Sequence, residues 1–303
     1  MNLFLMIVIF GLSSTLASGA VCCLGGGPKT FVDLQHLQKY KLGLSTSFRD
    51  IYGRYDSYGD LVSAEKSQTY NMSLAATTNM ADGLDVFFVL PWVYQKTSIG
   101  NESGSAASIG DVVIGSKYTL IDRLFIDDWY PIVTLLGGMK FPTGATDSVT
   151  SSGKLSPGTG NGIWEPFFGI TLRKELAPIQ LGLSATYTRR FKSNVPNPSG
   201  NGVLAVKEGD RFELTESGTL PVSWRLKFVL GSTQQWDLSR EIDRATVPDS
   251  RARDVRAFLA STYTFTQYWS VSVTGEGSLP VAKLGVNQDA SRTLTFATTY
   301  GFY

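Results

Sequence analysis

The sequence predicts an all-β fold, a transmembrane antiparallel up-and-down β-barrel of about twelve strands. Three observations carry this. Beyond residue 34, apolar and aromatic residues alternate with small, polar or charged ones over about ten residues at a time. The connections between those stretches are alternately short and long. The tryptophans share the apolar face of their segments, most of them near a segment end.

Composition narrows the classes. Lys+Arg number 27 against 26 Asp+Glu, so no basic excess marks a nucleic-acid binder. Apolar residues at 43% exclude a disordered chain. Charged residues at 17% fall well below the roughly 25% of an average soluble domain. One His and two adjacent Cys exclude most His/Cys metal sites and any multi-disulfide framework. No cofactor or metal is implied. After the N-terminus no apolar run reaches the ~18–20 residues of a transmembrane helix.

Residues 1–20 read as a secretory signal peptide. Leu3 to Phe10 is a continuous apolar run, and Ser18-Gly19-Ala20 offers small residues at the cleavage site. Residues 21–34 form a flexible Cys/Gly-rich lead, and residues 35–303 form the barrel. Cys22 allows two readings, lipid attachment or a free pair with Cys23. Gly19 stands where lipoprotein signals usually carry Leu. Either way the chain leaves the cytoplasm.

In the barrel, Val222, Trp224, Leu226, Phe228 and Leu230 alternate with Ser223, Arg225, Lys227 and Val229. Leu181, Leu183, Ala185 and Tyr187 alternate with Gly182, Ser184, Thr186 and Thr188. Short connections fall at 81–83, 175–178, 220–221 and 266–268, with a somewhat longer one at 122–128. Long polar ones fall at 50–65, 97–109, 142–161, 193–209, 237–254 and 281–291. Transmembrane barrels have short periplasmic turns and long outer loops. An even strand number puts both barrel ends on the periplasmic side. Trp92, Trp129, Trp164, Trp224, Trp236 and Trp269 all follow the aliphatic face, as an aromatic girdle requires. Tyr300, Phe302 and Tyr303 close the last strand in the manner of a barrel-assembly signal, with Tyr303 one residue beyond the alternating register. One segment fits badly. Glu216 shares the face of Phe212 and Leu214, so a bulge or a shortened strand is expected there.

The opposite parity defines the lumen. It collects Lys117, Lys140, Arg173, Arg190, Arg225, Lys227, Arg256, Asp111 and Glu276, and also Lys41, Asp85 and Lys192. Basic residues dominate this set, and an Arg/Lys lining favours anions in a pore. Opposite charges pairing across a filled barrel would instead plug it. Arg189 faces outward and can snorkel to headgroup phosphates. The mixed charges of 237–254 read as a solvated loop or as a contact for lipopolysaccharide. Asp50, Asp56 and Asp60 lack the spacing of a hard-cation loop. The single His, His36, precedes the first strand, far from any outer-rim catalytic position, so no hydrolase is expected.

Three runs carry a family resemblance. They are Gly110-Asp111-Val112-Val113-Ile114-Gly115-Ser116-Lys117-Tyr118, then Gly138-Met139-Lys140-Phe141-Pro142-Thr143-Gly144, then Gly158-Thr159-Gly160-Asn161-Gly162. Their order resembles the outer-membrane channel family named after meta-pathway phenol degradation. The resemblance spans roughly residues 80–230, and Asn161 stands near the place of the family's usual aspartate. It implies a barrel and passage of small, partly hydrophobic compounds. The physical reading agrees on its own: Pro142-Thr143-Gly144 ends a strand, and Gly110 and Gly115 leave room for close packing or a bend.

The expected protein is therefore a channel in the outer membrane of a Gram-negative bacterium, passing small-molecule solutes. Its expected partners are outer-membrane lipid, lipopolysaccharide and the barrel-assembly machinery, with no nucleic acid. Two other readings stand: a closed barrel acting through its outer loops as an adhesin or envelope scaffold, and a soluble secreted β-sandwich. Oligomeric state is left open.

Overall fold

A computed structural model describes residues 38–56, 60–62, 66–99, 102–121, 130–145, 148–149, 155–156, 159–160, 162–196, 203–243, 245–247, 250–280 and 288–302. The expected signal peptide, the lead with Cys22, and also His36, Trp129 and Tyr303 lie outside the described residues.

Twelve long strands form the wall: β1 (Tyr40–Tyr55), β2 (Lys66–Ala81), β3 (Leu84–Ile99), β4 (Val112–Ile121), β5 (Ile132–Phe141), β6 (Glu165–Leu176), β7 (Ile179–Thr188), β8 (Arg211–Pro221), β9 (Leu226–Asp237), β10 (Ala252–Thr264), β11 (Trp269–Ser278) and β12 (Gln288–Phe302). Each pairs antiparallel with its neighbours in chain order, and β1 pairs with both β2 and β12, so the sheet closes. Two shorter strands, Leu61–Val62 and Glu102–Ile109, pair with the outer ends of β1 and β3. Outside the wall, Lys192–Pro196, Val203–Lys207, Glu241–Ile242 and Ala245–Thr246 form a separate four-stranded sheet of the outer loops.

Burial is inverted relative to a soluble protein. Leu230, Phe168, Leu259 and Leu74 are exposed, while Lys117, Arg190, Arg256, Glu213 and Thr233 are buried. A soluble sandwich would bury the first set and expose the second. Here lipid covers the aliphatic face, and the polar side chains meet one another inside a closed wall that leaves no ladder edge. This is a transmembrane β-barrel, and no soluble sandwich. Trp92, Trp164 and Trp269 are exposed on the outward face. Trp236 shares that face and packs against Phe212 at 5.4 Å between ring centres.

Two local expectations are corrected. β9 begins at Leu226, so Trp224 and Arg225 sit in the turn below it, with the Arg225 guanidinium 4.3 Å from the Trp224 ring centre. Arg225 is exposed there and lines no wall. Secondly, β8 contains no bulge. It pairs without interruption with β7 over 211–219 and with β9 over 211–221, and Glu216 stands opposite Leu183 and Ser232 on the lipid face. Register explains why. Slipping one residue to hide Glu216 would turn Phe212 and Leu214 inward and Glu213 and Thr215 to lipid. Replacing Glu216 by Leu is therefore expected to stabilise the barrel by about 1–2 kcal/mol, somewhat less than the penalty of a mid-bilayer Arg or Lys. A higher urea midpoint for the loss of heat-modifiable gel mobility checks this, and an unchanged midpoint contradicts it.

Candidate functional site: the lumen wall and its outer rim

The inward face is built in three zones. In the middle zone two apolar clusters stand among hydroxyl-bearing side chains such as Ser184, Thr215 and Thr233. Ala75, Phe87, Val89, Val113, Leu136 and Phe167 form one buried cluster on β2 to β6, and Val229, Phe258 and Ala260 form a second on β9 and β10. In a ring of twelve strands, β4 and β10 are six apart, so the two clusters lie on opposite arcs of the wall. Each phenylalanine has a glycine as its cross-strand partner: Phe87 opposite Gly115, Phe167 opposite Gly138, and Phe258 opposite Gly231. A Cβ at any of these glycines would collide with the facing ring. The rings therefore lie flat over bare backbone, as aromatic cover for strand glycines does elsewhere, and project less into the lumen than upright rings would.

Charged groups flank these clusters at both ends of the inward face. Towards the outside stand Asp111, Lys140, Glu165, Asp237 and Arg256; towards the periplasm stand Asp85, Lys117, Arg173 and Lys227. The outer charges form an ion-pair chain across β4 to β9. Lys140 Nζ lies 3.6 Å from Asp111 and also pairs with Glu165. Glu165 receives Arg190 at 3.3 Å, Arg190 reaches Asp237 at 3.4 Å, and Asp237 receives Arg211 at 2.7 Å. A second group gathers on β10, β11, β12 and β1. Arg256 is held by Asp254 at 2.9 Å and by Glu276 at 2.7 Å, and Arg49 lies 3.9 Å from Asp289. At the loop above β8, the Tyr187 hydroxyl donates to Asp210 at 2.6 Å and the Arg190 N–H donates to it at 3.0 Å. Burial pushes the Asp210 carboxyl upward, but these two donors, with Lys207 and Arg189 nearby, hold it below the ordinary carboxylate value.

The basic excess expected of the lumen is therefore offset. Glu165, Glu213, Asp237, Asp254 and Asp289 also sit on or beside the inward face. Most of them stand at or near strand ends, where the sequence reads as loop. Lys192 is exposed at the start of the outer sheet and belongs to no wall strand. Among the predicted lumen residues, Lys117, Lys140, Arg190, Arg256, Asp111 and Glu276 are inward and buried or nearly so. Arg173 and Lys227 lie near one another with Glu175 at the periplasmic end.

The three motif runs meet at one place. The Thr143 hydroxyl donates to the Gly110 carbonyl at 2.7 Å and accepts the Val112 N–H at 3.0 Å. The Gly144 N–H donates to Asp111 Oδ1 at 3.0 Å. The Thr159 hydroxyl donates to the Ile109 carbonyl at 3.2 Å and accepts the Ala145 N–H at 3.1 Å. A Cβ at Gly160 would strike the Asp111 carboxylate, so glycine is required for that approach. The knot lies where the outer strand 102–109 gives way to β4, and it ties the loop between β5 and β6 to the wall. Neither propensity nor periodicity predicts this convergence; only the order of the motifs hinted at it.

A family model described as putative MetA-pathway of phenol degradation matches residues 52–296. Among solved structures, an outer-membrane channel from Pseudomonas putida F1 is similar with a TM-score of 0.72 and 15% identity, covering 90% of this chain and 100% of that one. The β domain of the Bordetella autotransporter BrkA is similar with a TM-score of 0.50 and 10% identity, covering 88% of this chain and 100% of that one. No curated protein matches this chain.

Proposed function

We infer, because this chain belongs to the family described as putative MetA-pathway of phenol degradation, that it is a passive outer-membrane channel for small, partly apolar solutes. The observation that carries this reading is the pair of apolar clusters on opposite arcs of the wall, between two charged zones. A solute with an aromatic or aliphatic body meets Phe87, Phe167 and Phe258 midway, and its polar groups meet paired charges on either side. The clusters offer apolar contact on the wall, which suits brief binding and onward release. No residue of this wall is assigned a chemical step.

Charge pairing at the rim also bears on ion selectivity. Lys140, Arg190, Arg211 and Arg256 each face an acid. The fixed field is then close to neutral, and discrimination between small anions and cations is expected to be weak. The test is single-channel recording of the purified, refolded barrel in a planar bilayer under a salt gradient. Discrete steps with a reversal potential near zero are expected, and added phenol should lower the step size while glucose at equal concentration should not. A strongly ion-selective current would contradict the balanced rim. Silence from a folded, inserted barrel would contradict the channel itself.

A further inference from the structure

We propose that the outward face at the outer ends of β12, β1, β2 and β3 binds a phosphorylated saccharolipid of the outer leaflet, the class to which lipopolysaccharide belongs. The site is laid out by register. Lys96 pairs with Gln68, Gln68 with Asp50, and Asp50 with Arg292, so one row of polar side chains crosses four neighbouring strands. All four positions share the parity of Trp92, Leu74, Leu44 and Leu294, which are exposed on the lipid side. Lys66 stands one step further out on the same face of β2.

Two residues towards the membrane, the next outward row is aromatic. Tyr94 pairs with Tyr70 and Tyr70 with Phe48. Their ring centres are 5.9 Å and 4.8 Å apart. A polar row with a cation at each end, directly above an aromatic ladder, matches a ligand with phosphates on a sugar and acyl chains below it. The phosphates would meet Lys96, Lys66 and Arg292, and the sugar edge and the first acyl carbons would lie on the rings.

Charge on this face is preorganised yet unspent. Asp50 takes both the Nε (3.1 Å) and an Nη (3.0 Å) of Arg292 and neutralises one cation, while fixing its side chain. The Arg292 side chain nevertheless remains 74% exposed. Lys66 and Lys96 are exposed, and among the described residues neither has an acidic partner. The other outward cations at the outer rim differ: Arg189 stacks on Phe191 and Arg253 on Trp236, each beside an aromatic of its own. The β12–β3 face thus concentrates three cations over four strands, on the outer side of the aromatic row. The proposal depends on the long loops facing outward and not on conduction, so it stands or falls apart from the channel reading.

The test titrates purified diphosphoryl lipid A into the refolded full-length barrel in detergent micelles and counts bound lipid by native mass spectrometry. Heat-modifiable gel mobility establishes that each variant is folded. Lys66→Glu combined with Lys96→Glu is expected to weaken binding by about tenfold or more. Arg189→Glu combined with Arg253→Glu should leave it unchanged. Dephosphorylated lipid A should bind no better than the double lysine variant binds the parent lipid. Equal loss in both double variants would overturn the site in favour of general charge attraction. Equal binding of dephosphorylated lipid A, or of phosphatidylglycerol, would overturn the phosphosaccharide class.

Discussion

Gly138→Val is expected to prevent the barrel from folding. A Cβ at this position would lie 2.5 Å from Phe167 Cζ, 2.6 Å from the Ile114 carbonyl oxygen and 2.8 Å from Gly115 Cα. The ring could rotate away, but the other two atoms are backbone of the adjacent strand. Relief would require β4 and β5 to separate where they pair through Gly115 and Gly138. Overpacking a well-fitted interior costs ~1–3 kcal/mol when side chains can adjust. Backbone collision in a closed wall should exceed that range, at about 4 kcal/mol. The neighbouring position supplies the control. Gly137 points to lipid, and its Cβ would meet only the Phe167 carbonyl oxygen at 4.0 Å. Gly137→Val should refold in detergent micelles to the heat-modifiable form with the parent's yield, while Gly138→Val should not. Equal yields would mean that the phenylalanine–glycine pairs are ornamental.

Glu165→Gln should both weaken the barrel and change its ionic preference. Glu165 is buried between Lys140 and Arg190, and its carboxylate links the Asp111 and Asp237 halves of the chain of ion pairs. Removing one member of a buried pair costs ~3–5 kcal/mol when the other is left uncompensated. Here Lys140 keeps Asp111 and Arg190 keeps Asp237, so the loss should be about 2 kcal/mol. The same change leaves one net positive charge at the rim. Under a salt gradient the reversal potential should move in the direction of anion preference, and the urea midpoint should fall. A lower midpoint without a shift in potential would place Glu165 away from the ion path. A shift without loss of stability would show that water already screens the pair.

The strand pattern was readable because lipid and lumen impose opposite chemistry on alternate residues. Leu181, Leu183, Ala185 and Tyr187 against Gly182, Ser184, Thr186 and Thr188 determine one wall strand on their own. The inward parity of Lys140 and Arg256 could be read in the same way. Their partners could not. Glu165, Asp237 and Asp254 lie at or near strand ends, where alternation stops carrying information, and long polar loops mask them. The phenylalanine–glycine pairs were hidden for another reason. Gly115 could be recognised as making room, but the ring it makes room for, Phe87, is its partner only through cross-strand register. Glu216 misleads when its unfavourable exposure is weighed alone. The whole strand decides parity, and Phe212, Leu214 and Leu220 outvote it.

The closing seam has a consequence for biogenesis. β1 and β12 meet from Tyr40 opposite Phe302 to Tyr55 opposite Gln288, with one irregularity between Ile51 and Gly53. This contact joins the first wall strand to the last, so the sheet cannot close until the twelfth strand is present. A copy interrupted anywhere before β12 is not a smaller pore but an open ribbon with two bare ladder edges, available to any other unfinished chain. The pairing of β1 with β12 removes both edges in one event, so closure of the wall and loss of its sticky edges are the same step.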